Sequence, residues 1–262
     1  MQYQVDKQQT GSPSRRRQAL KGPSSQRSEP HIQSQTTPSS DTQALLGLIP
    51  KSLNPQTTSA ILAELSRPIS PADEEGYIYI FWLTPDSDMS PDEETASTLL
   101  NDDDNEDEHG SHSERRDAAI QRYASVHGSS PARSPSSGPV PKRTLMVKIG
   151  RAQNVHRRMS QWTKQCGQNI TLIRYYPHHQ SSLPRKAPCV TRVERLIHLE
   201  LADARAPGEK CKQCGREHRE WFMIEASRAG LRGLDEVVKR WVGWAERWAA
   251  AAAANGNTQR HR

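Results

Sequence analysis

The run of residues 76–83 constrains the fold of this chain more than any other segment. Its sequence, GYIYIFWL, combines aromatic and β-branched side chains that favour extended backbone, and Thr84-Pro85 ends it. Apolar residues follow one another here without alternation, so both faces of the strand must be covered, as in a central strand with helices on either side. The sequence therefore predicts a mixed domain of strands and helices built around this strand.

Apolar residues are too few for the whole chain to fold around one core. They make up 33% of the 262 residues, against about 45–50% in globular domains. Residues 1–56 and 85–142 are polar, rich in Ser and Pro, and without an apolar period, so we predict a disordered arm and a disordered insertion. The folded domain is then expected in residues 57–84 and 143–254, with a tail at 255–262.

Strand and helix patterns alternate after the insertion. Strands are predicted at 145–150, 170–176 and 220–224, and helices at 154–162, 190–204 and 234–254. Asn154 is predicted to cap the first of these helices, Asn255-Gly256 to end the last, and Thr58 to cap a short helix at 57–65. The fold class expected is α/β (α+β), with a small, mostly antiparallel sheet flanked by helices.

Cysteine spacing indicates a metal site. Cys211, Cys214 and His218 form a C-x2-C-x3-H run, in which two thiolates and an imidazole can reach one tetrahedral Zn²⁺ ion. We choose Cys166 as the fourth ligand, and a closed site of four ligands leaves no position for water, so its role would be structural. The alternative is a loop with free thiols. Three rivals for the fourth ligand are Cys189, His178 and His179.

The charge balance favours an acidic partner. Lys and Arg number 36 against 30 Asp and Glu, a net charge of +6, and nucleic acid is the commonest partner of such a chain. No apolar run approaches the ~18 residues that a membrane span requires, and the first residues lack the apolar segment of a secretory signal. We therefore expect an intracellular protein with no membrane contact. The cluster Arg15-Arg16-Arg17 favours nuclear import or is a basic patch in a tail.

Several short motifs occur in an order that is typical of one family. Tyr77-Ile78-Tyr79 and Lys148-Ile149-Gly150, on the first two strands, resemble the tripeptides that name the GIY-YIG nuclease superfamily. Residues 154–159 resemble its helical N-x-x-x-R segment, and Glu194 lies in a segment that resembles its metal-binding helix. Glu220-Trp221-Phe222 resembles the EWF strand of the bacteriophage T5 open-reading-frame 172 type of DNA-binding domain, which also occurs in fungal proteins of unknown function.

This resemblance covers residues 73–245 apart from the insertion, and it implies DNA binding and a divalent-metal-dependent endonuclease. It implies that Glu194 holds Mg²⁺ or Mn²⁺ on the scissile phosphate and that Arg158 neutralises the developing charge. It also implies that a tyrosine, Tyr79 or Tyr77, helps to activate water. These roles agree with the needs of phosphodiester hydrolysis, namely charge stabilisation and an oriented nucleophile.

Two further residues join the catalytic candidates. His198 lies one turn beyond Glu194 on the same helix face. Lys148 stands where the superfamily has a tyrosine, and it can bind phosphate or, with a depressed pKa, assist proton transfer. The residues expected to contact DNA are Lys148, Arg151, Arg157 and Arg158.

Plainer interpretations remain open at this point. Arg157 competes with Arg158 as the phosphate clamp, either can be an exposed helix residue, and Tyr79 can be a core residue. Three functions are therefore considered: DNA cleavage, DNA binding without catalysis, and a protein-interaction module on the same fold.

Overall fold

A computed structural model describes residues 40–84, 93–100, 110–126, 143–178, 185–208 and 210–259. The predicted arm up to residue 39, the basic cluster Arg15-Arg16-Arg17 and His179 lie outside the described residues.

The strands of the described chain are β1 (Tyr77–Leu83), β2 (Ser125–Val126), β3 (Arg143–Ala152), β4 (Ile170–Tyr176) and β5 (Trp221–Glu225). They form an antiparallel sheet, with the four longer strands in the order β4–β1–β3–β5. The short β2 pairs with the beginning of β3. The predicted fold class, a small antiparallel sheet flanked by helices, is confirmed.

Helices cover both faces of this sheet. In the described chain they are α1 (Ser40–Gly47), α2 (Pro55–Ser66), α3 (Glu93–Thr98), α4 (Gly110–Tyr123), α5 (Val155–Cys166), α6 (Val190–Glu200) and α7 (Arg228–Gln259). On one face α2, α6 and α7 share the main hydrophobic core with β1, and on the other face α5 packs against a smaller apolar cluster.

The strand β1 is buried on both faces, as its sequence predicts. Ile78, Ile80 and Trp82 belong to the main core beneath α6 and α7, whereas Tyr79 and Phe81 belong to the cluster under α5. This division follows from the alternation of side chains along a strand. The central position of β1 therefore places Tyr79 on the face that α5 covers.

The helix α5 begins where the sequence predicts and ends at Cys166, four residues beyond the predicted end at residue 162. The Asn154 side chain accepts a hydrogen bond from the backbone N–H of Arg157, which satisfies one of the free donors at the helix start. Gly167 ends the helix at a φ of 61°, a left-handed conformation that glycine adopts without strain. These two ends fix where Arg158 and Cys166 lie relative to the sheet.

The N-terminal boundary of the folded part lies earlier than residue 57. Residues 40–47 form α1, and the following Ile49 is buried against the main core. The cap of α2 is Asn54 rather than Thr58, because Pro55 occupies the first helical position and the Asn54 side chain accepts from the N–H of Thr57.

The predicted disordered insertion contains α3, α4 and β2. Leu99, Leu100 and Ile120 are buried there and supply apolar anchors that are isolated among charged residues in the sequence. The last helix is also longer than predicted. The Ser227 hydroxyl accepts from the N–H of Gly230 at its start, and the helix passes through Asn255-Gly256 to residue 259.

Candidate functional site

The glycine of the second motif is required by the tyrosine of the first. Tyr79 of β1 lies directly opposite Gly150 of β3 in the sheet register. A Cβ atom added at residue 150 would lie 2.6 Å from the ring atom Cζ of Tyr79, a distance at which one of the two must move. Tyr79 is 1% exposed, and its ring stacks on Phe81 with 4.1 Å between ring centroids. The ring therefore cannot easily move away from an added Cβ atom.

The hydroxyl of Tyr79 lies in a charged environment. Arg158 of α5 hydrogen-bonds it, and the charges of Glu194 and Arg151 act on it. Burial raises the pKa of the Tyr79 phenol, an effect that the Arg158 guanidinium opposes. Of the two candidate arginines, Arg158 therefore contacts the tyrosine, while Arg157 is exposed on the helix surface.

The structure separates the two tyrosines that the sequence could not. Tyr77 packs edge-on against the ring of Tyr175, with 5.4 Å between the ring centroids. Tyr79 instead contacts Arg158. Only Tyr79 is thus connected with the other candidate catalytic residues among the contacts of the described chain.

Glu194 lines a second part of the site, a cavity of about 340 Å³. Its carboxylate forms an ion pair of 2.9 Å with Nε of Arg151. Burial raises the pKa of Glu194, and the charges of Arg151 and Lys148 oppose this effect. The cavity residues that carry polar side chains are Arg151, Thr191, Glu194, Arg195, His198 and Arg205.

His198 lines the same cavity, one helical turn from Glu194. Its Nε2 donates to the backbone carbonyl oxygen of Ile149 at 3.0 Å. Its ring packs against the ring of Phe222, with 5.1 Å between the two ring centroids. Burial lowers the pKa of His198 to about 4, so the ring is neutral near pH 7. His198 is therefore held in the wall as a neutral side chain.

Lys148 lies in the interior rather than on the surface. Its side chain is 0% exposed, forms an ion pair with Glu220, and places the ammonium 4.3 Å from the centre of the Trp162 ring. Burial, and then the charge of Arg158, lower the pKa of Lys148 to about 7. A direct phosphate contact of the kind expected from the sequence requires an exposed ammonium, which this arrangement does not provide.

Sequence reasoning missed Arg205, because it belongs to no motif and follows the turn after α6. Its guanidinium donates to the carbonyl oxygens of His198 at 3.1 Å and Arg219 at 3.0 Å. With no carboxylate partner in the described part of the chain, Arg205 keeps its full positive charge beside the cavity. Arg195, the third cavity arginine, pairs with Glu64 at 3.1 Å.

The donor set around Glu194 fits a divalent ion only in part. A hard cation such as Mg²⁺ is held by one or two carboxylates plus waters and substrate phosphates, and Glu194 supplies one carboxylate. Arg151 already pairs with it, and Arg205 adds positive charge. The single carboxylate is therefore outnumbered by arginines, and the residues of the cavity alone supply too little negative charge for a divalent ion.

The predicted cysteine and histidine ligands come together. Donor atoms of Cys166, Cys211, Cys214 and His218 all lie within 4.8 Å of one another. The Sγ atoms of Cys166 and Cys214 are 3.9 Å apart, and Nε2 of His218 lies 3.2 Å from Sγ of Cys214. The Cys3His set predicted to hold a metal is therefore present, with Cys166 as its fourth member.

The elements around this cluster explain its geometry. Cys166 is the last residue of α5, whereas the other three donors lie in the loop before β5. Gly215 adopts a φ of 68° in that loop, and its N–H donates to the carbonyl oxygen of Cys211 at 2.8 Å. The rival Cys189 is buried at the start of α6 and does not join the cluster.

No helix in the described ranges combines the length and apolarity that a membrane crossing needs.

Comparisons with known proteins give one family match, and it covers much of the candidate site. Neither a curated protein nor a solved structure matches the chain. Residues 144–244, from β3 into α7, match the family described as "Meiotically up-regulated gene 113", and this segment contains Lys148, Arg158, Glu194 and the Cys3His set.

Proposed function

We propose that this chain binds DNA through a domain of the GIY-YIG type, with phosphate groups held at the arginines around Glu194 and Tyr79. The observation that carries the proposal is a group of three arginines near Glu194 and Tyr79. Arg151 and Arg205 line the Glu194 cavity, and Arg158 hydrogen-bonds Tyr79, on whose phenol the charges of Glu194 and Arg151 also act. Guanidinium groups match phosphate oxygens with two parallel hydrogen bonds.

The charge of this region supports a polyanionic partner. Glu194 balances Arg151, but Arg205 donates only to backbone carbonyl groups and Arg158 to a phenol. These two cations have no carboxylate partner among the residues that the structure describes, so a phosphate group would complete the charge balance. Because the phosphate backbone dominates DNA affinity, such a site favours binding that is independent of base sequence.

Hydrolysis of the phosphodiester is a second candidate function, favoured by the contact between Tyr79 and Arg158 near Glu194. Arg158 would neutralise charge on the phosphate, and the buried Tyr79 phenol would orient the Arg158 guanidinium through its hydrogen bond. Glu194 would hold Mg²⁺ or Mn²⁺, and the ion would supply further charge neutralisation.

The Cys3His set is proposed to hold one Zn²⁺ ion in a structural role. Three thiolates and one imidazole are a common tetrahedral zinc environment, and four protein ligands leave no position for a reacting water molecule. Since DNA is the proposed partner, an intracellular and nuclear location remains a prediction of this proposal.

Fluorescence anisotropy of a labelled DNA duplex, titrated with the full chain at low salt, tests the DNA-binding proposal. We expect saturable binding. Absence of binding to duplex, nicked, flapped and branched DNA would favour the protein-interaction alternative. The same substrates with Mg²⁺ or Mn²⁺ test for cleavage, and binding without cleavage would leave a DNA-binding module without catalysis.

A further inference from the structure

A second groove lies between α5 and the loop that carries the cysteines. Arg158, Trp162 and Gln165 of α5 line one side, and residues 216–220 line the other. The groove encloses about 350 Å³ and shares no lining residue with the Glu194 cavity. Arg158 lines this groove and also hydrogen-bonds Tyr79, on whose phenol the charge of Glu194 acts.

Charged side chains in this groove are not balanced. Its two glutamates are already paired, Glu217 with Arg219 at 3.0 Å and Glu220 with the buried Lys148. Arg158 and Arg216 have no carboxylate partner within the described ranges, so each side of the groove carries one uncompensated cation. Trp162 is 4% exposed and forms the floor, which leaves no ring face for a base to stack on.

The backbone that carries Arg216 is fixed. Its carbonyl oxygen accepts from the N–H of Cys211 at 2.9 Å, which closes the loop around the cysteines. Sγ of Cys166, at the end of α5, lies 3.5 Å from Nε2 of His218 in the loop. One metal ion in the Cys3His set would therefore join the two sides of the groove and hold them at a constant separation.

We infer that this groove binds the phosphate backbone of one DNA strand, with Arg158 and Arg216 contacting phosphates from its two sides. The inference rests on the proposed DNA-binding function and adds the cysteine loop as a second contact surface. The contact proposed is to the backbone rather than to bases, because the two uncompensated groups are guanidinium cations, which match phosphate oxygens, and the Trp162 ring is buried.

The test compares the salt dependence of duplex affinity for variants of the full, metal-containing chain. Arg216→Gln should weaken binding and reduce the slope of log K against log salt by about 1, since one phosphate contact is lost. Arg216→Lys keeps the charge and should retain most of the slope. Lys51→Gln is the matched control, because it removes one exposed charge in the turn before α2, which packs against α6 rather than α5.

Metal content, measured by elemental analysis, shows whether the loop of Arg216→Gln is intact. A second variant, Gln165→Arg, changes the α5 side alone and should steepen the slope by about 1. The inference is overturned if Arg216→Gln and Gln165→Arg both show the same slope of log K against log salt as Lys51→Gln, while Arg158→Ala still weakens DNA binding. In that case the proposed DNA binding stands without the groove. Failure of the wild-type chain to bind DNA would overturn both proposals.

Discussion

The two metal-site candidates of this protein are built in opposite ways. In the Cys3His set, four donors from two segments lie within 4.8 Å of one another. Around Glu194, one carboxylate is already paired with Arg151, and further arginines line the cavity. The first arrangement is ready for a soft cation and closed to substrate, and the second is open to a phosphate group.

The two arrangements differ in the kind of ion that would stabilise them. A cluster of thiolates without a cation would place like charges close together, so a metal ion stabilises the arrangement. An arginine-rich cavity is stabilised by an anion from outside the chain. We therefore propose that the cluster stabilises the domain and that the cavity, with the adjoining groove, binds DNA.

Removing one cluster ligand should have the largest effect. Cys214→Ser should abolish stoichiometric zinc binding, and metal binding contributes on the order of 10 kcal/mol in zinc-finger peptides, so thermal unfolding should shift strongly downwards. Cys189→Ser, which removes a buried thiol outside the cluster, is the control and should keep the metal. Equal metal content in both variants would show that the cluster holds none.

A second prediction concerns Glu194, the carboxylate of the cavity. Glu194→Gln should reduce metal-dependent cleavage by about 100-fold or more, equivalent to ~3 kcal/mol, if the wild type cleaves DNA. DNA binding should be retained or strengthened, because a negative charge near the phosphate is lost. Glu236→Gln, an exposed substitution on α7, should leave both activities unchanged. Cleavage that survives in Glu194→Gln would contradict the assigned role.

The neutral histidine in the cavity wall predicts acid sensitivity. Since the pKa of His198 falls from 6.5 in the unfolded chain to about 4 in the folded chain, its stabilising contribution is complete above pH 6.5 and is lost as the pH falls towards 4. The loss amounts to up to about 3 kcal/mol. Denaturant unfolding across this range should show a smaller loss for His198→Asn than for the wild type, whereas the exposed His156→Asn should match the wild type.

A smaller effect is expected from the glycine beneath Tyr79. Gly150→Ala should cost about 1–3 kcal/mol, because the added methyl group overlaps the buried Tyr79 ring. Gly233→Ala is the matched control, since nothing lies within 4 Å of its Cβ position in α7. It should stabilise the helix by about 1 kcal/mol. A Gly150→Ala variant as stable as Gly233→Ala would show that Tyr79 is not held where we describe it.

The sequence predicted the parts of the fold that follow local rules. The unbroken apolar run of β1 predicted a strand covered on both faces, and Asn154 predicted the start of α5. Residues 99, 100 and 120 were missed because short apolar segments among acidic residues carry no period, and their burial depends on the rest of the core.

In the candidate site, too, local spacing predicted some residues, whereas the positions of others depend on distant parts of the chain. The C-x2-C spacing identified Cys211 and Cys214, and Cys166 was chosen because it follows the helix predicted at 154–162. The burial of Lys148 depends on Glu220, which is 72 positions away, and the place of Arg205 in the cavity depends on β3, which carries Arg151. Sequence patterns do not contain such long-range partners, and the motif resemblance alone could not supply them.

The salt dependence of DNA affinity, measured for the wild type and Arg158→Ala, tests the central claim most directly. Because arginine contacts to phosphates release counterions, log K should fall linearly with log salt for the wild type, and Arg158→Ala should reduce both the affinity and the slope, the latter by about 1. Lys51→Ala should keep the wild-type slope. Affinity that is independent of salt, or no binding at low salt, would contradict the account.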